Sequence, residues 1–553
     1  MLKTLFTEEG KNLPDVPWEL YPRPQMRRDK WLCLNGVWDI SWGVYRDRAR
    51  VPFPLESALS GVHGAPKIGE KITYTRTFEV PGDWSGRVIL RFGAVMRLCD
   101  VFVNGLKAGH HDNGYLPFAC DITRLIKNGG NTLEVRVIND LDYRHAWGKQ
   151  RVKRGGMWYT PCSGIWQTVW LEPVPETYLR RLVMTPDEKG VDIECIGIES
   201  GVAICEGAEY PIEGGRCRIE PEEPELWSPE NPRLYDFTIK SGEDEVKSYF
   251  GLRTLEIREK RLCLNGKPYF FSGVLDQGYW SDGLYTPASP ALFEKDISTM
   301  RAFGFNMLRK HIKIEPEWFY FLCDKLGMAV FQDMVSSGKY NYALDTAMPT
   351  VGIKNPALMA GRNTDRTQRA VFMRDMGATV RALTNHPSIC LWTIFNEGWG
   401  EFEPDACYTA LKKLDSTRFV DSASGWFQME KSDVDSIHTY FDTQHLGTFR
   451  DRAQFISEFG GYSYKVAEHS ANLQKTYSYR DYASPEALAA ALRSVYEKEL
   501  LPLVPQGLCA AVYTQVSDVE DETNGFFTFD RAVLKIPPEA LRDLNEKLIE
   551  ECK

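Results

Sequence analysis

Along the first third of the chain, apolar and polar positions alternate with period two. Residues 72–80 (ITYTRTFEV), 87–92 (RVILRF), 100–103, 132–137 (TLEVRV) and 167–171 (QTVWL) each carry that pattern. Alternation over four to eight residues is the mark of a strand with one buried face. Asn104-Gly105 directly after 100–103 is a tight hairpin signal. Many short strands separated by Gly and Asn turns predict a sandwich or jelly roll over residues 1–173. From Pro173 to about Gly251 the strands shorten, and residues 219–232 (IEPEEPELWSPENP) gather Pro and Glu. A small immunoglobulin-like sandwich over 174–257 fits this stretch, with the Pro-rich segment as a loop anchored by Leu226 and Trp227.

Beyond residue 258 the period changes. Residues 291–303, 317–326 and 366–383 place apolar side chains at helical spacing, whereas 269–274, 306–309, 328–333 and 389–396 (ICLWTIFN) read as strands. A strand that is apolar on both faces belongs in a parallel sheet covered by helices. Strands alternating with helices over nearly 300 residues match a (β/α)8 TIM barrel in size, assigned to 258–553.

Composition narrows the function classes. The 553 residues exceed what one core sustains, so several domains are expected. A formal charge of −10 with no long basic run argues against nucleic acid as a partner. The N-terminus lacks an apolar leader and no run reaches membrane-spanning length, which predicts a cytoplasmic protein without a membrane partner. The 13 cysteines lie scattered without CxxC pairs, so reduced thiols and no zinc site are expected; no cofactor is expected, and a cation near the site is left open because no ligand cluster demands one.

Two segments carry candidate chemistry. Asn396-Glu397-Gly398-Trp399 follows the apolar run 389–395, and Ser457-Glu458-Phe459-Gly460-Gly461 follows Gln454-Phe455-Ile456. Each puts a carboxylate at the C-terminal end of a buried strand, the end that carries active sites in a barrel. A carboxylate there is costly to desolvate unless it is paired or used. Two such groups suffice for glycosidic cleavage: one acid protonates the leaving oxygen, while the other attacks the anomeric carbon or activates water. A separation of about 5–5.5 Å makes the second a nucleophile. The alternative for either Glu is a salt bridge with Arg or a loop cap.

These motifs occur in a longer ordered series. Val103-Asn104-Gly105 with His110 and Ser163-Gly164-Ile165-Trp166-Gln167 come first, followed by Leu226-Trp227-Ser228-Pro229-Glu230-Asn231-Pro232 and Phe250-Gly251-Leu252-Arg253. Asn265-Gly266-Lys267-Pro268, His386-Pro387-Ser388-Ile389 through Asn396-Glu397, and Ser457-Glu458-Phe459-Gly460 complete it. The series resembles glycoside hydrolase family 2, the clan of β-galactosidases, β-glucuronidases and β-mannosidases, nearly end to end. The resemblance implies a retaining β-glycosidase with Glu397 as acid/base, Glu458 as nucleophile and Asn396 on the sugar 2-hydroxyl. It further implies that Tyr440 hydrogen-bonds the nucleophile and that relatives often form homo-oligomers.

Other polar residues sit at predicted strand ends. Arg309 either keeps Glu458 ionised or forms an internal salt bridge, and Asp333 binds either a sugar hydroxyl or a neighbouring Arg. His438 lines the pocket or is structural, and Asp276 is a further sugar-binding candidate. Trp399 and Trp426 form stacking walls or core. Gln515 and Asp518 are placed at the pocket rim, and a loop near Asn113, Gly114 and Tyr115 is where the N-terminal unit would reach the pocket. The chain departs from familiar members: Leu275-Asp276-Gln277-Gly278-Tyr279-Trp280 replaces the Asn-Arg-His-Glu of many β-galactosidases, and the Asn-x-Lys element of β-glucuronidases is missing after Glu458. A carbohydrate substrate, β-galactoside-like, is the leading expectation. A β-glucuronide, β-galacturonide, β-mannoside or arabinoside, or a catalytically silent carbohydrate-binding protein, are the alternatives.

Overall fold

The computed structural model describes residues 2–62, 64–350, 363–427 and 429–552. In the N-terminal unit, a four-stranded and a six-stranded antiparallel sheet pack face to face. The six-stranded sheet is centred on Lys71–Phe78 and Asn131–Ile138, paired over their full length, and every second residue of Asn131–Ile138 is buried. Tyr74, Leu90, Val101, Leu133 and Val135 fill the space between the sheets. Asn104 and Gly105 both take positive φ, 51° and 80°, as a two-residue hairpin turn demands.

The middle unit is a seven-stranded antiparallel sheet. Two of its strands, Ala208–Glu213 and Arg216–Ile219, pair only at Glu213–Arg216, so the sheet divides there into two leaves. Leu182, Ile193, Phe237 and Val246 form the core of this unit. The 219–232 segment forms no strand after Ile219, as expected for a loop. Trp227 is fully buried at its centre and donates from Nε1 to the Asp324 carbonyl at 2.8 Å, tying the middle unit to the barrel.

The third unit contains eight parallel strands: β1 (Phe271–Asp276), β2 (Met307–Lys310), β3 (Ala329–Asp333), β4 (Ile389–Asn396), β5 (Phe419–Ser424), β6 (Val434–Thr439), β7 (Ala453–Gly460) and β8 (Leu508–Thr514). They are ordered β5-β4-β3-β2-β1-β8-β7-β6. The free sides of β5 and β6 meet through a 3.2 Å hydrogen bond between Ser436 and Ser424 hydroxyls, closing the ring. Every residue of β4, β7 and β8 is buried, which explains the long apolar runs of β4 and β8 in sequence.

Helices α1 (Pro290–Ala302), α2 (Glu317–Leu326) and α3 (Arg366–Leu383) follow β1, β2 and β3. The carboxylate of Asp365 caps α3 by accepting from the Thr367 and Gln368 amides, and Gly327 ends α2 in the left-handed region at φ 73°. Strict β/α alternation does not persist: among the described residues the β5–β6 and β6–β7 connections carry no helix. All 13 cysteines are unpaired thiols. No helix among the described residues is long and apolar enough to cross a membrane.

Candidate active site

Glu397 and Glu458 face each other at the C-terminal end of the barrel. Glu397 follows Asn396, the last residue of β4, and adopts a left-handed backbone at φ 52°. Such strain in a non-glycine residue clusters at functional sites. The Glu397 amide donates to the Ser424 carbonyl on β5 at 2.9 Å, which holds the turn. Glu458 lies within β7 beside a register shift between Ile456 and Phe459, and opposite it on β6 sits His438, at a second shift. Bulges of this kind re-aim side chains, and here they bring His438 and Glu458 to the same rim.

His438 joins the two acids. Its Nδ1 lies 2.9 Å from Glu397 Oε1, and its Nε2 lies 3.5 Å from Glu458 Oε1 and 3.3 Å from the Ser424 hydroxyl. One carboxylate oxygen from each acid and one His438 nitrogen all fall within 4.8 Å of one another. Among the described residues this is the one group with metal-ligand geometry, although the His438–Glu397 hydrogen bond already occupies part of that donor set.

The two acids have unequal surroundings. Arg309, in β2, is fully buried and spans the floor between them. Its Nη1 donates to Glu458 Oε1 at 3.1 Å and to the Ser457 carbonyl at 3.1 Å, and Nη2 donates to Asn396 Oδ1 at 2.8 Å. Nε donates to Asp333 Oδ1 at 3.0 Å, and Asp333 Oδ2 meets His311 Nδ1 at 2.7 Å. The Tyr440 hydroxyl donates to Glu458 Oε2 and lies 3.1 Å from Thr514 Oγ1. Burial by itself would raise the Glu458 carboxyl. His438, Arg309 and His311, with the Tyr440 hydrogen bond, overcome it and hold Glu458 down to about 2. Burial pushes His311 down to about 4, with Lys149 acting in the same direction, so at neutral pH its ring is uncharged.

The sequence-based candidates therefore converge, but not all are open to a ligand. Arg309, Asn396, His438 and Tyr440 surround the acids. Asp333 has both oxygens engaged by Arg309 and His311, which makes it a support for Arg309. Asp276 ends β1 with Oδ2 bound by Lys310 Nζ at 2.7 Å and Oδ1 by the Gly278 amide at 2.9 Å. Trp426 is half-buried with its ring edge-on to His438, centroids 5.6 Å apart. Trp399 is buried against Trp158 and Tyr340 at 4.9 and 6.1 Å.

Two expectations from the sequence, those for Gln515 and Asp518, are corrected. Gln515 and Asp518 are buried rather than at the rim, because Gln515 donates to Asn524 at 2.8 Å and Asp518 pairs with buried Lys535. Asn113 caps a turn, accepting from the Tyr115 and Leu116 amides at 2.8 and 3.0 Å. The N-terminal unit meets the barrel through Tyr115, whose hydroxyl lies 2.9 Å from that of Tyr285, and through residues 141–163. There Trp147 and Gly148 amides donate to the Ser336 carbonyl at 3.0 and 3.2 Å, Thr160 N to Glu520 at 2.9 Å, and the Tyr159 hydroxyl to Glu522. Tyr479, which the sequence reading did not single out, stacks on Tyr440 with centroids 3.8 Å apart and planes at 5°. No spacing rule would have found it, since the loop that carries it has no periodic pattern.

An eight-stranded barrel bearing two opposed carboxylates, roofed by a two-sheet unit, is the class that fold and site define. Sequence comparison identifies it further. The glycosyl hydrolases family 2 sugar binding domain matches residues 34–175, the glycosyl hydrolases family 2 domain 196–253, and the family's TIM barrel domain 255–503. The chain belongs to glycoside hydrolase family 2. It is 28% identical over 427 residues to a β-galactosidase of Aeromonas hydrophila, covering 70% of this chain and 38% of the relative. The chain thus spans about two fifths of the length of the β-galactosidases it matches. In fold it is similar to a β-glucuronidase of an uncultured Clostridium sp. (TM-score 0.74, 19% identity, 96% and 99% coverage). It is also similar to a β-galacturonidase of Eisenbergiella tayi (TM-score 0.68, 21% identity, 95% and 99% coverage).

Proposed function

We propose that this protein is a retaining β-glycosidase that releases a terminal β-linked sugar, with Glu458 as nucleophile and Glu397 as acid/base. The observation that carries the reading is the approach of the two carboxylates, with oxygens within 4.8 Å. Retention requires carboxyl groups about 5–5.5 Å apart, whereas inversion needs about 6.5–9.5 Å to admit a water.

In the first step, a Glu458 oxygen attacks the anomeric carbon as the C1–O bond breaks. The Glu397 proton passes to the departing oxygen, leaving a glycosyl ester on Glu458. In the second step, Glu397, now a carboxylate, takes a proton from water, whose oxygen attacks C1 and frees Glu458. The unequal surroundings support this division of labour. Arg309, His438 and Tyr440 keep Glu458 ionised at neutral pH, as a nucleophile must be. Asn396, steered by Arg309, is the candidate for the sugar 2-hydroxyl. The double-sheet unit 1–173 serves as a jelly roll, 174–257 as an immunoglobulin-like unit and 258–553 as the catalytic barrel. The β-galactosidase relatives support a β-galactoside as substrate, and free thiols fit a reducing compartment.

A panel of nitrophenyl β-glycosides tests the reading. Glu458→Gln is expected to abolish turnover, and Glu397→Ala to retain slow cleavage of substrates with good leaving groups, accelerated by azide. Normal hydrolysis by Glu458→Gln overturns the assignment, and sugar binding without turnover by the wild type indicates a silent binding protein.

A further inference from the structure

The three units meet around a cleft of about 310 Å3 that shares no lining residue with the surroundings of Glu397 and Glu458. Five arginines line it, and they come from every unit. Arg23 lies in the segment ahead of the first strand, and Arg91 in the strand Arg87–Phe92 of the four-stranded sheet. Arg180 and Arg181 open the first strand of the middle unit, Arg181–Pro186, and Arg381 lies in the last turn of α3. Side-chain hydrogen bonds between units fix the cleft. Gln25 Nε2 donates to the Asn385 carbonyl at 3.1 Å. Asn385 Nδ2 donates to the Leu182 carbonyl at 2.9 Å, and its Oδ1 accepts from the Met184 amide at 2.9 Å. The leading segment, the barrel and the middle unit are thereby held together at that point.

The arginines of this cleft are poorly matched. Glu172 accepts from Arg91 Nε and from the Tyr21 hydroxyl, and it also lies 3.9 Å from Arg23 and 3.8 Å from Arg28. Glu317, which opens α2, lies 3.9 Å from Arg23 Nε. Among the described residues, the side chains of Arg180, Arg181 and Arg381 make no ion pair and no hydrogen bond. The bond from Arg91 to Glu172 is the one side-chain hydrogen bond that the five donate. Arg23 Nη1 is buried without a hydrogen-bond partner. Burial, and after it the nearby Arg23, push the Arg91 guanidinium below its ordinary value in spite of Glu172. Five guanidiniums thus converge on two carboxylates, in a chain whose overall charge is −10. Unpaired cations held this close repel one another, and an anion between them removes that cost.

We infer that this cleft is a second ligand site, one that binds the phosphate or sulfate group of a small molecule. It stands independently of the glycosidase reading. Guanidinium forks bind oxyanions through paired, charge-assisted hydrogen bonds. Here the forks come from separate walls: Arg91 from the N-terminal sheet, Arg181 from the middle unit, Arg381 from the barrel. A tetrahedral anion presents oxygens in several directions and can meet all three walls, whereas the two oxygens of a carboxylate lie in one plane. The volume is at the lower end of ligand pockets, which run from about 300 to 1,000 Å3, so a small molecule suits it better than a polymer strand. Because its ligands belong to different units, a bound anion would also tie those units together.

The test is calorimetric titration of the whole protein with orthophosphate, pyrophosphate, sulfate and citrate, at an ionic strength held constant with sodium chloride. Saturable binding of one equivalent of a tetrahedral anion is expected, with a Tm that rises as that anion is added. Tighter binding of the phosphates points to a phosphate ester as the ligand, and tighter binding of sulfate to a sulfate ester. Arg181→Ser and Arg381→Ser remove side chains without a protein partner, so Tm in the absence of anion should stay unchanged. Each should weaken binding by about 10-fold or more. Arg216→Ser, which alters an exposed arginine outside the cleft, should leave binding as it is. No saturable binding, citrate bound as tightly as the tetrahedral anions, or the same loss in Arg216→Ser overturns the site. Phenylglyoxal labelling of the wild type, read by peptide mass, gives a second measurement that needs no variant. Saturating anion should slow modification of Arg181 and Arg381, and unchanged labelling of both overturns the inference.

Discussion

Arg309 and Glu458 share a 3.1 Å hydrogen bond in a place where neither is exposed to solvent, and the same guanidinium reaches Asn396 beside the other acid. One planar cation thus sets the charge of the proposed nucleophile and the orientation of the proposed 2-hydroxyl ligand. A rigid fork of donors suits this task better than a single ammonium.

Removing that cation is expected to show twice. Arg309→Met leaves Asp333 and Glu458 buried without their partner, so the protein should lose about 3–5 kcal/mol of stability, measurable by denaturant unfolding. Because Arg309 holds the Glu458 carboxyl down, its loss raises that group, and the acid limb of kcat/KM against pH should move upward. An unmoved acid limb in a folded variant would show that Arg309 does not govern Glu458.

Tyr440→Phe deletes the hydroxyl that donates to Glu458 Oε2. A hydrogen bond to a charged group contributes about 1.5–3 kcal/mol, so kcat/KM should fall by roughly 10–100-fold. The stacked Tyr479 ring keeps the Phe in position, so thermal unfolding should change little by comparison.

The 141–163 segment is expected to couple the N-terminal unit to the barrel. Trp147 packs against Trp158 with centroids 5.4 Å apart and donates to the Gly338 carbonyl at 3.1 Å. Trp147→Ala should destabilise the protein by about 3–5 kcal/mol and lower activity, seen as a reduced Tm and a reduced kcat/KM. Full activity with an unchanged Tm would show that the segment is not part of the working barrel mouth.

Acid should destabilise the fold below about pH 4. Glu458 and Asp415 are each held down to about 2, so the unfolded chain binds their protons first and their contribution is lost as pH falls from about 4 to 2. Buried carboxyls raised by desolvation, such as Asp421 at about 6, act in the opposite sense at higher pH and are protonated in both states below about 4. Unfolding free energy measured from pH 5 to 2 should therefore drop in the lower half of that range.

Much of this architecture is legible in the chain. The period-two stretches became antiparallel strands, and the apolar run 389–396 became β4 without a shift at either end. Burial on one face or on both leaves a local imprint on residue type. Glu397 and Glu458 stood out for the same reason, as charges that end runs of apolar residues. That the described residues after β5 and β6 form no helix was not foreseen, because a barrel strand needs a crossover but no particular residue in it.

The sequence by itself determined the three-unit order, the strand and helix character of most segments, and the two acids. The tertiary structure alone decided what those acids touch. Arg309 reaches Glu458 across 149 positions and Tyr159 reaches Glu522 across 363, contacts with no local signature. Local pattern records whether a side chain is buried. Which partner meets it depends on ring closure and on how the units dock, and these arise from packing free energy summed over the whole chain.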